Sequence, residues 1–272
     1  MEAEAPEAIA YTACVRVEPK RSRRARLVAV FATSAGAAGC LLTTSLDDLS
    51  TGESDAGRVD APADAVADVQ AMPDAAREDP CTESTLIICF SFETSTTGAP
   101  PGGAVASSVD LVSGSRGRVA RFTTSGRSMI RIPASAAWEV STFTFEAWVS
   151  PGRIPAADER FGVVDSEFRA AMFLYPDGRI HCRAGTAEAV TVPIEVDRFT
   201  HVACVFDADG IAAYANGELG ERRKAPFTVG SGQPTLIGAN APDGGNHFDG
   251  LLDDVRVHGV ALDAAIIQRH AR

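Results

Sequence analysis

The chain has 272 residues, of which 36 are acidic and 25 basic, for a formal net charge of −11. This length allows one large all-β domain or two ordinary domains, and the negative charge argues against a nucleic acid partner. The acidity is concentrated in residues 41–80, which contain ten acidic side chains and two arginines. It therefore belongs to one segment and does not mark a folded acidic face.

The N-terminal segment has the pattern of an export signal. Five basic residues between Lys20 and Arg26 precede a mildly apolar run from Leu27 to Gly39. A run of this length is too short to cross a bilayer and suits the core of a signal peptide. Residues 1–14 are acidic and alanine-rich, unlike a signal start, and our hypothesis is that translation begins at Val15 or Val17.

The apolar run ends in the sequence Ala37-Ala38-Gly39-Cys40. This resembles the bacterial lipobox, in which the cysteine thiol is lipidated, although Ala37 stands where leucine is usual. An ordinary export signal followed by an incidental cysteine is the alternative. Leu41 follows Cys40, which by resemblance to the lipoprotein sorting rule favours the outer membrane. The several acyl chains of such a lipidated cysteine are enough for stable anchoring.

Residues 41–80 predict a spacer between the signal region and a folded domain. They are rich in Asp, Ala, Ser and Thr and contain no aromatic residue, a composition typical of disordered linkers. Such a flexible chain spans roughly 35 Å, and more if its charges repel one another. The predicted globular domain is therefore residues 81–272.

Four cysteines fall within this domain: Cys81, Cys89, Cys182 and Cys204. An even number of cysteines in an exported chain predicts two disulfides. Three pairings are possible. We favour Cys81–Cys89 and Cys182–Cys204, because the partners in each pair are near in sequence and the second bridge would join nearby strands.

A zinc site built from His181, Cys182, His201 and Cys204 is the competing interpretation of these cysteines. Side chains alternate between the two faces of a strand. His181 and Cys182 therefore point to opposite faces, as do His201 and Cys204. At most one residue of each pair could face a given ion, so the alternation argues against zinc here.

Short runs rich in β-branched and aromatic residues, separated by glycine and proline, predict a series of strands. In the strand that contains Trp148, apolar and polar residues alternate, and we interpret Trp148 as a core residue and not as a sugar-stacking platform. The first predicted strands are Leu86–Phe92, Arg118–Thr123, Ser128–Ile132, Phe143–Val149, Phe161–Asp165, Ala170–Tyr175, Arg179–Arg183 and Ala189–Ile194.

A central hairpin follows within the stretch from Phe199 to Gly217. Two apolar runs flank the acidic break Asp207–Gly210, which is typical of a hairpin turn. Asn216-Gly217 then predicts a second turn, because both residues tolerate a positive φ. The basic cluster Arg222–Lys224 is interpreted as a solvated turn.

The C-terminal part predicts two closing strands and one helix. The strands are Pro234–Gly238 and Leu251–Val257, and the helix is Ala264–Arg269. Asp263 precedes the helix as its N-cap.

Three motifs in order resemble laminin-G-like domains of the concanavalin A-like lectin and glucanase superfamily. They are Phe143–Val149, the central hairpin with Thr200–Ala203, Asp207 and Ala213–Gly217, and the closing stretch Phe248–Val257. Phe199 stands where this family usually has tryptophan. The resemblance covers roughly residues 84–272 and implies an all-β, two-sheet antiparallel jelly-roll sandwich with a short C-terminal helix.

Catalysis is not expected from these motifs. Glucanases of this superfamily carry the signature Glu-x-Asp-x-x-Glu, whose carboxylates provide the acid and the nucleophile. The nearest match, Glu195-Val196-Asp197, lacks the third carboxylate and has Thr200 or His201 in its place. No nucleophile elbow, His-Glu-x-x-His sequence or phosphate loop is present in the chain.

The resemblance instead implies binding of carbohydrate or protein, through rim loops or across a sheet. Candidate rim positions are Asp158, Glu159, Phe168 and Asp243–His247. The predicted function is an outer-membrane lipoprotein whose non-catalytic module binds a glycan or an envelope or extracellular protein. A structural envelope lipoprotein without a soluble ligand is the alternative, and a glycoside hydrolase is a distant one.

The resemblance also implies one structural calcium ion, which requires six to eight oxygen ligands. The candidate ligands are Glu93, Asp249, Asp253 and Asp254, because the first and last strands of such sandwiches commonly pair. Asp253 and Asp254 are expected to point oppositely, so only one of them can share a site with Glu93. In the alternative interpretation these acids bind turn amides or Arg256.

Overall fold

The computed structural model describes residues 79–98, 100, 102–228, 230 and 232–272. The predicted signal region, Cys40 and residues 41–78 of the predicted linker lie outside the described residues. Within the described part, no helix is long and apolar enough to cross a membrane.

The described residues form β-strands, a short 3₁₀ turn at Ala136–Trp138 and an α-helix, α1, at Ala264–His270. The strands are β1 (Leu86–Phe90), β2 (Val105–Ser107), β3 (Asp110–Gly114), β4 (Gly117–Phe122), β5 (Met129–Ile132), β6 (Phe143–Pro151), β7 (Phe161–Ser166), β8 (Ala170–Leu174), β9 (Arg179–Ala184), β10 (Ala187–Pro193), β11 (Thr200–Asp207), β12 (Gly210–Ala215), β13 (Glu218–Arg223), β14 (Thr235–Ile237) and β15 (Gly250–His258).

These strands build two sheets in which every pairing is antiparallel. The first sheet has the order β13-β12-β11-β6-β15-β4-β3, and β1 also pairs with β15. The second sheet has the order β10-β9-β8-β7-β14-β5-β2. The all-β two-sheet sandwich predicted from the sequence is confirmed, including the pairing of the first strand with the last.

The apolar core lies between the sheets and follows from the alternation within each strand. In β6, Phe143, Phe145, Ala147 and Val149 all join the core, because every second residue of a strand faces the same side. Phe206 of β11 stacks on Phe143 with 4.7 Å between ring centroids.

Two disulfides have the predicted pairing. Cys182 of β9 and Cys204 of β11 are joined within the core and link the two sheets. Cys81 and Cys89 are joined at the start of the domain. Disulfides are typical of proteins from oxidising compartments, which fits an envelope or extracellular protein.

The outer face of the first sheet is partly covered by α1. Ile267 is fully buried against Ala203, Val205 and Tyr214 of β11 and β12. Asp263 caps the helix by accepting a hydrogen bond from the Ile266 amide, as the sequence predicted. The last turn of α1 thereby reaches the middle of the sheet.

Trp148 lies on this same outer face and not in the apolar core between the sheets. It shares the outward face of β6 with Glu146, because the two are two positions apart in the strand. Its ring is 8% exposed and lies beneath the guanidinium of Arg116, 3.6 Å from the ring centroid. The expectation of a core tryptophan is correct for burial but wrong for location.

Strand β15 contains a bulge at which the expected alternation fails. Its register with β6 shifts between Asp253 and Arg256, and Asp254 has a φ of +43°. The two oxygens Asp253 Oδ2 and Asp254 Oδ2 lie 3.0 Å and 3.1 Å from nitrogens of Arg116. The expectation that these carboxylates point oppositely is therefore wrong, because the extra residue of the bulge turns both toward one guanidinium.

The basic cluster Arg222–Lys224, expected in a turn, lies mostly in a strand. Arg222 and Arg223 belong to β13, the edge strand of the first sheet, and pair with Asp207 and Glu221. Only Lys224 follows the strand. An edge strand with little burial carries polar residues on both faces, so its sequence lacks the alternation that marks a half-buried strand.

Candidate binding groove on the second sheet

A row of paired residues crosses the outer face of the second sheet. Leu236 of β14 lies opposite Asp165 of β7, Asp165 lies opposite Ala171 of β8, and Ala171 lies opposite Arg183 of β9. Paired residues project to the same face of a sheet. The row therefore places a carboxyl group and a guanidinium on either side of a small alanine.

The neighbouring row brings aromatic groups to the same face. Phe173 of β8 pairs with Gly162 of β7 on one side and with His181 of β9 on the other. Gly162 leaves space above the sheet at this point. A Cβ at this position would lie 2.5 Å from the backbone of Ala239. The chain around Ala239 can thus approach the sheet closely.

The two rows and three surrounding loops enclose a groove with a volume of about 520 Å³. The small side chain of Ala171 leaves room at its centre. The walls come from the β7–β8 turn, the β9–β10 turn at Gly185 and the segment Asn240–Pro242. We call this feature the second-sheet groove.

Asp165 is the carboxyl group of the groove. It is 5% exposed, and its Oδ2 accepts a hydrogen bond of 2.8 Å from the Ala241 amide. Burial raises the pKa of Asp165 to about 7, since it outweighs the effect of that hydrogen bond and of Arg160 and Arg183 nearby. At neutral pH this group can therefore both donate and accept hydrogen bonds.

Two arginines are held in fixed positions along the groove. The Nη2 of Arg160 donates to Asn240 Oδ1 at 2.8 Å, and its guanidinium lies 4.3 Å from the ring centroid of Phe173. The Nη1 of Arg183 donates to Tyr175 Oη at 2.8 Å. Arg160 Nη1 also donates to Tyr175 Oη at 3.2 Å, and Arg183 Nε lies 3.1 Å from Glu188 Oε2. Each guanidinium has five N–H groups, so some remain for a ligand.

Phe168 stands in the turn between β7 and β8 at the mouth of the groove. Its side chain is 72% exposed, and its φ is +59°, a conformation that is unusual for a bulky residue. Its carbonyl accepts a hydrogen bond of 2.8 Å from the Gly230 amide. An exposed aromatic residue in an unfavourable backbone conformation is a reason to suspect a functional position.

The sequence-predicted rim positions are only partly brought together. Phe168 lines the groove, and Asp243 directly follows the lining residue Pro242 in the chain. Asp158 is exposed and is not part of the groove lining. Glu159 instead pairs with Arg153 at 2.7 Å, and His247 lies 3.2 Å from the carbonyl of Ser128.

Most of the groove could not be predicted from the sequence. Its polar groups come from β7, β9 and two loops that are distant in the chain: Arg160, Asp165, Arg183 and Asn240. The available signal was Asp165, an acidic residue in a strand whose other members are apolar or small. An acidic residue in such a strand is a candidate member of a binding site.

The predicted calcium ligands have other contacts. Glu93 is exposed and accepts a hydrogen bond of 3.2 Å from the Arg118 amide, and Asp249 lies 3.3 Å from Arg153. Asp253 and Asp254 contact Arg116 as described above. Among the described residues, none of these four belongs to a group of three metal-ligating atoms lying within 4.8 Å of one another. The calcium ion stays a prediction.

The glucanase-like fragment lies outside any strand. Glu195 and Asp197 are exposed in the loop between β10 and β11, where Glu195 pairs with Arg198 at 3.0 Å. His181 and His201 of the alternative zinc interpretation face away from the cysteines, which form the disulfide of the core. His201 contacts Glu146, and His181 contacts Asp177 and Glu188.

Comparison with protein families gives one match. A laminin-G-type model, described as the concanavalin A-like lectin/glucanases superfamily, matches residues 124–268, just over half of the chain. A search of curated proteins finds no match.

Several solved structures are similar to this chain. Domain 4 of AbnA, a GH43 extracellular arabinanase from Geobacillus stearothermophilus in complex with arabinotriose, is 21% identical, with a TM-score of 0.49 over 69% of this chain and 98% of its own. The binding domain of Paraclostridial Mosquitocidal Protein 1 is 14% identical, with a TM-score of 0.58 over 69% of this chain and 52% of its own.

The binding domain of botulinum neurotoxin DC is a third similar structure. It was solved in complex with rat synaptotagmin II and in complex with SialylT. It is 10% identical, with TM-scores of 0.54 and 0.53 over 69% of this chain and 51% and 50% of its own. The present chain thus spans about half the length of these toxin domains, and the likeness concerns the fold.

Proposed function

Because the chain belongs to the concanavalin A-like lectin/glucanases superfamily, we propose that it is a non-catalytic module that binds carbohydrate in the second-sheet groove. The observation that carries this proposal is the composition of the groove, where aromatic rings lie beside carboxyl, guanidinium and amide groups. Ligand pockets typically combine an apolar lining with a few fixed polar groups that set orientation and specificity.

The polar groups suit a ligand rich in hydroxyls. Asp165 has a pKa of about 7 and can donate or accept, while Arg160 and Arg183 only donate. Both arginines are already ordered by Asn240 and Tyr175. Binding therefore orders few additional side chains, which lowers its entropic cost.

Structures with the same fold agree with this class of partner. The toxin domain similar to this chain was solved once with SialylT and once with a protein, rat synaptotagmin II. A glycan or a protein is accordingly the expected partner. The composition of the groove favours the glycan.

A glycan array tests the proposal, using the full chain, the variants Phe168→Ala and Arg183→Gln, and Leu219→Ala as a matched control. Leu219 is also an exposed apolar residue, at 52%, but it lies on β13 of the other sheet. We expect the parent and the control to bind the same glycans and the groove variants to bind about tenfold more weakly or worse, the scale of one lost hot-spot contact. Failure of the parent to bind any glycan, or equal binding by all variants, would contradict the proposal.

We further propose that a lipidated Cys40 anchors the module to the outer membrane. The supporting observations are the small residues before Cys40, Leu41 after it and the two disulfides of the domain. The Cys40→Ala variant should move from the membrane fraction to the soluble fraction of cells. Unchanged membrane retention would argue against lipidation at this residue.

A further inference from the structure

A buried glutamate on the outer face of the first sheet is surrounded by three histidines. Glu146 Oε2 lies 2.9 Å from both His258 Nε2 and His270 Nδ1, and Glu146 Oε1 lies 3.3 Å from His201 Nε2. Arg256 Nη2 also lies 3.4 Å from Glu146 Oε2. The Glu146 carboxylate is therefore placed to accept N–H groups from the rings around it.

The contact with Glu146 fixes how each ring is turned. His258 Nε2 and His270 Nδ1 face Glu146, so His258 Nδ1 and His270 Nε2 point away from it. Both of these outer nitrogens face the carboxylate of Glu83. His270 Nε2 lies 2.8 Å from Glu83 Oε1, and His258 Nδ1 lies 3.9 Å from Glu83 Oε2.

The contact between His270 and Glu83 is a second observation at this cluster. The His270 side chain is 6% exposed, and its Nε2 is buried without a partner in hydrogen-bonding geometry among the described residues. Glu83 Oε1 is nevertheless close to it. A ring nitrogen and a carboxylate oxygen at this distance require a proton or a metal ion between them.

We propose that Glu83, His258 and His270 bind one divalent transition-metal ion, and that zinc is the ion their donor set fits best. One ligand atom from each residue lies within 4.8 Å of the other two. Imidazole nitrogens and a carboxylate oxygen are established zinc ligands. Imidazole favours zinc, copper and nickel, whereas calcium and magnesium prefer oxygen.

Glu146 orients both histidine ligands in this site. Metal-bound histidines almost always donate their other ring N–H to a carboxylate, a carbonyl or water, and this contact fixes the ring. Here one buried carboxylate receives the N–H of both rings, which stack with 5.9 Å between their centroids. Glu146 is thus a positioning residue, distinct from the three ligands.

The third ligand is held by the chain around it. Glu83 lies in the short loop closed by the Cys81–Cys89 disulfide, which restricts how far its carboxylate can move. Glu83 and His270 also line a cavity of about 270 Å³. Water can therefore reach a fourth coordination position, as in zinc sites with three protein ligands.

Two contacts oppose binding and limit its strength, and the cavity beside the site is also lined by Arg116, Arg269 and Arg272. Thr85 Oγ1 lies 2.9 Å from His258 Nδ1, so the hydroxyl must rotate away when the ion binds. Arg256 Nη1 lies 3.8 Å from Glu83 Oε1, and its charge reduces the attraction for a cation. Both effects lower the affinity without removing a ligand.

The test is zinc binding by the untagged full chain, stripped of metal and then measured by titration calorimetry and by metal analysis after dialysis. We expect one zinc ion per chain at this site and a higher melting temperature with zinc. Glu83→Gln and His270→Gln should raise the dissociation constant more than tenfold. Glu146→Gln should raise it by roughly 10 to 100-fold, the usual effect of losing an orienting partner.

His247→Gln is the matched control, because His247 is a histidine outside the cluster and should bind zinc as the parent does. Glu83 is 35% exposed, so Glu83→Gln keeps the test valid even if Glu146→Gln fails to fold. The proposal is overturned if the parent retains no zinc, in which case a proton holds the contact between His270 and Glu83. It is also overturned if Glu83→Gln and His270→Gln bind zinc as tightly as the parent.

Discussion

At the scale of single residues, the two sheets each bury one carboxyl group on their outer face, with opposite consequences. Burial raises the pKa of Asp165 to about 7, where one amide hydrogen bond is its main compensation. Glu146 has three histidine contacts, and its pKa lies well below the usual range. The surrounding donors, more than burial itself, decide which group is charged.

Asp165→Asn is expected to remove a pH dependence of stability. The folded protein binds the Asp165 proton more tightly than the unfolded chain does, so the folded state loses stability as the pH rises from about 4 to about 7. Asparagine carries no charge and still accepts the Ala241 hydrogen bond. The variant should match the parent near pH 4 and be more stable at pH 8, by at most about 4 kcal/mol at 1.4 kcal/mol per pKa unit.

Urea unfolding of both proteins at pH 4, 6 and 8 measures this difference. Asp158→Asn serves as the control for removing a surface carboxylate, because Asp158 is exposed and lies outside the groove lining. A stability difference between parent and Asp165→Asn that does not grow with pH would show that Asp165 ionises normally in the folded protein.

The predicted calcium ion has its own test at this scale. If Asp249 and its acidic neighbours bind calcium, an ion present at 100 times its dissociation constant adds about 2.7 kcal/mol, or several degrees in melting temperature. The full chain would be melted with and without calcium in zinc-free buffer, beside the variant Asp249→Asn. Superimposable melting curves for the parent with and without calcium would contradict the predicted calcium ion.

At the scale of elements, strands with buried side chains could be predicted from the sequence, and mostly exposed strands could not. The hairpin of β11 and β12 could be predicted because apolar runs flank a turn with Ala208 and Asp209 at its centre. Strands β2, β3 and β13 were not predicted, since their residues are mostly exposed or half-buried. A strand with no buried face has no period-two signal in its sequence.

Helix α1 is expected to depend on one side chain. Ile267 is fully buried beneath the helix, whereas Ile266 is partly buried. Ile267→Ala should therefore destabilise the protein by about 2–4 kcal/mol, the usual cost of such a truncation in a packed site. Ile266→Ala is the matched control and should cost less, which chemical denaturation would measure.

The same variant connects the helix to the proposed zinc site. His270 lies in the last turn of α1, so loosening the helix should also weaken zinc binding. Equal losses of stability in Ile266→Ala and Ile267→Ala would show that Ile267 does not anchor the helix.

At the scale of the whole molecule, the sequence predicted the scaffold better than its sites. The fold depends on patterns that are local in the chain, such as alternation, turns and the helix cap. The second-sheet groove and the cluster of Glu83, His258 and His270 each combine residues from distant segments. Only the pairing of strands, with its bulges and registers, brings those segments together.

The Cys182–Cys204 disulfide provides the last prediction, because it is the covalent link between the two sheets. The bridge joins residues 22 apart in sequence, and a loop of that length corresponds to about 3 kcal/mol of lost entropy in the unfolded chain. The double variant Cys182→Ala/Cys204→Ala should therefore unfold at a lower guanidinium concentration. The Cys81→Ala/Cys89→Ala variant opens a loop of 8 residues at the domain's start and should lose less stability while weakening zinc binding more. If the Cys81→Ala/Cys89→Ala variant instead loses more stability and keeps tighter zinc binding than the Cys182→Ala/Cys204→Ala variant, the first bridge supports the sandwich and the second does not.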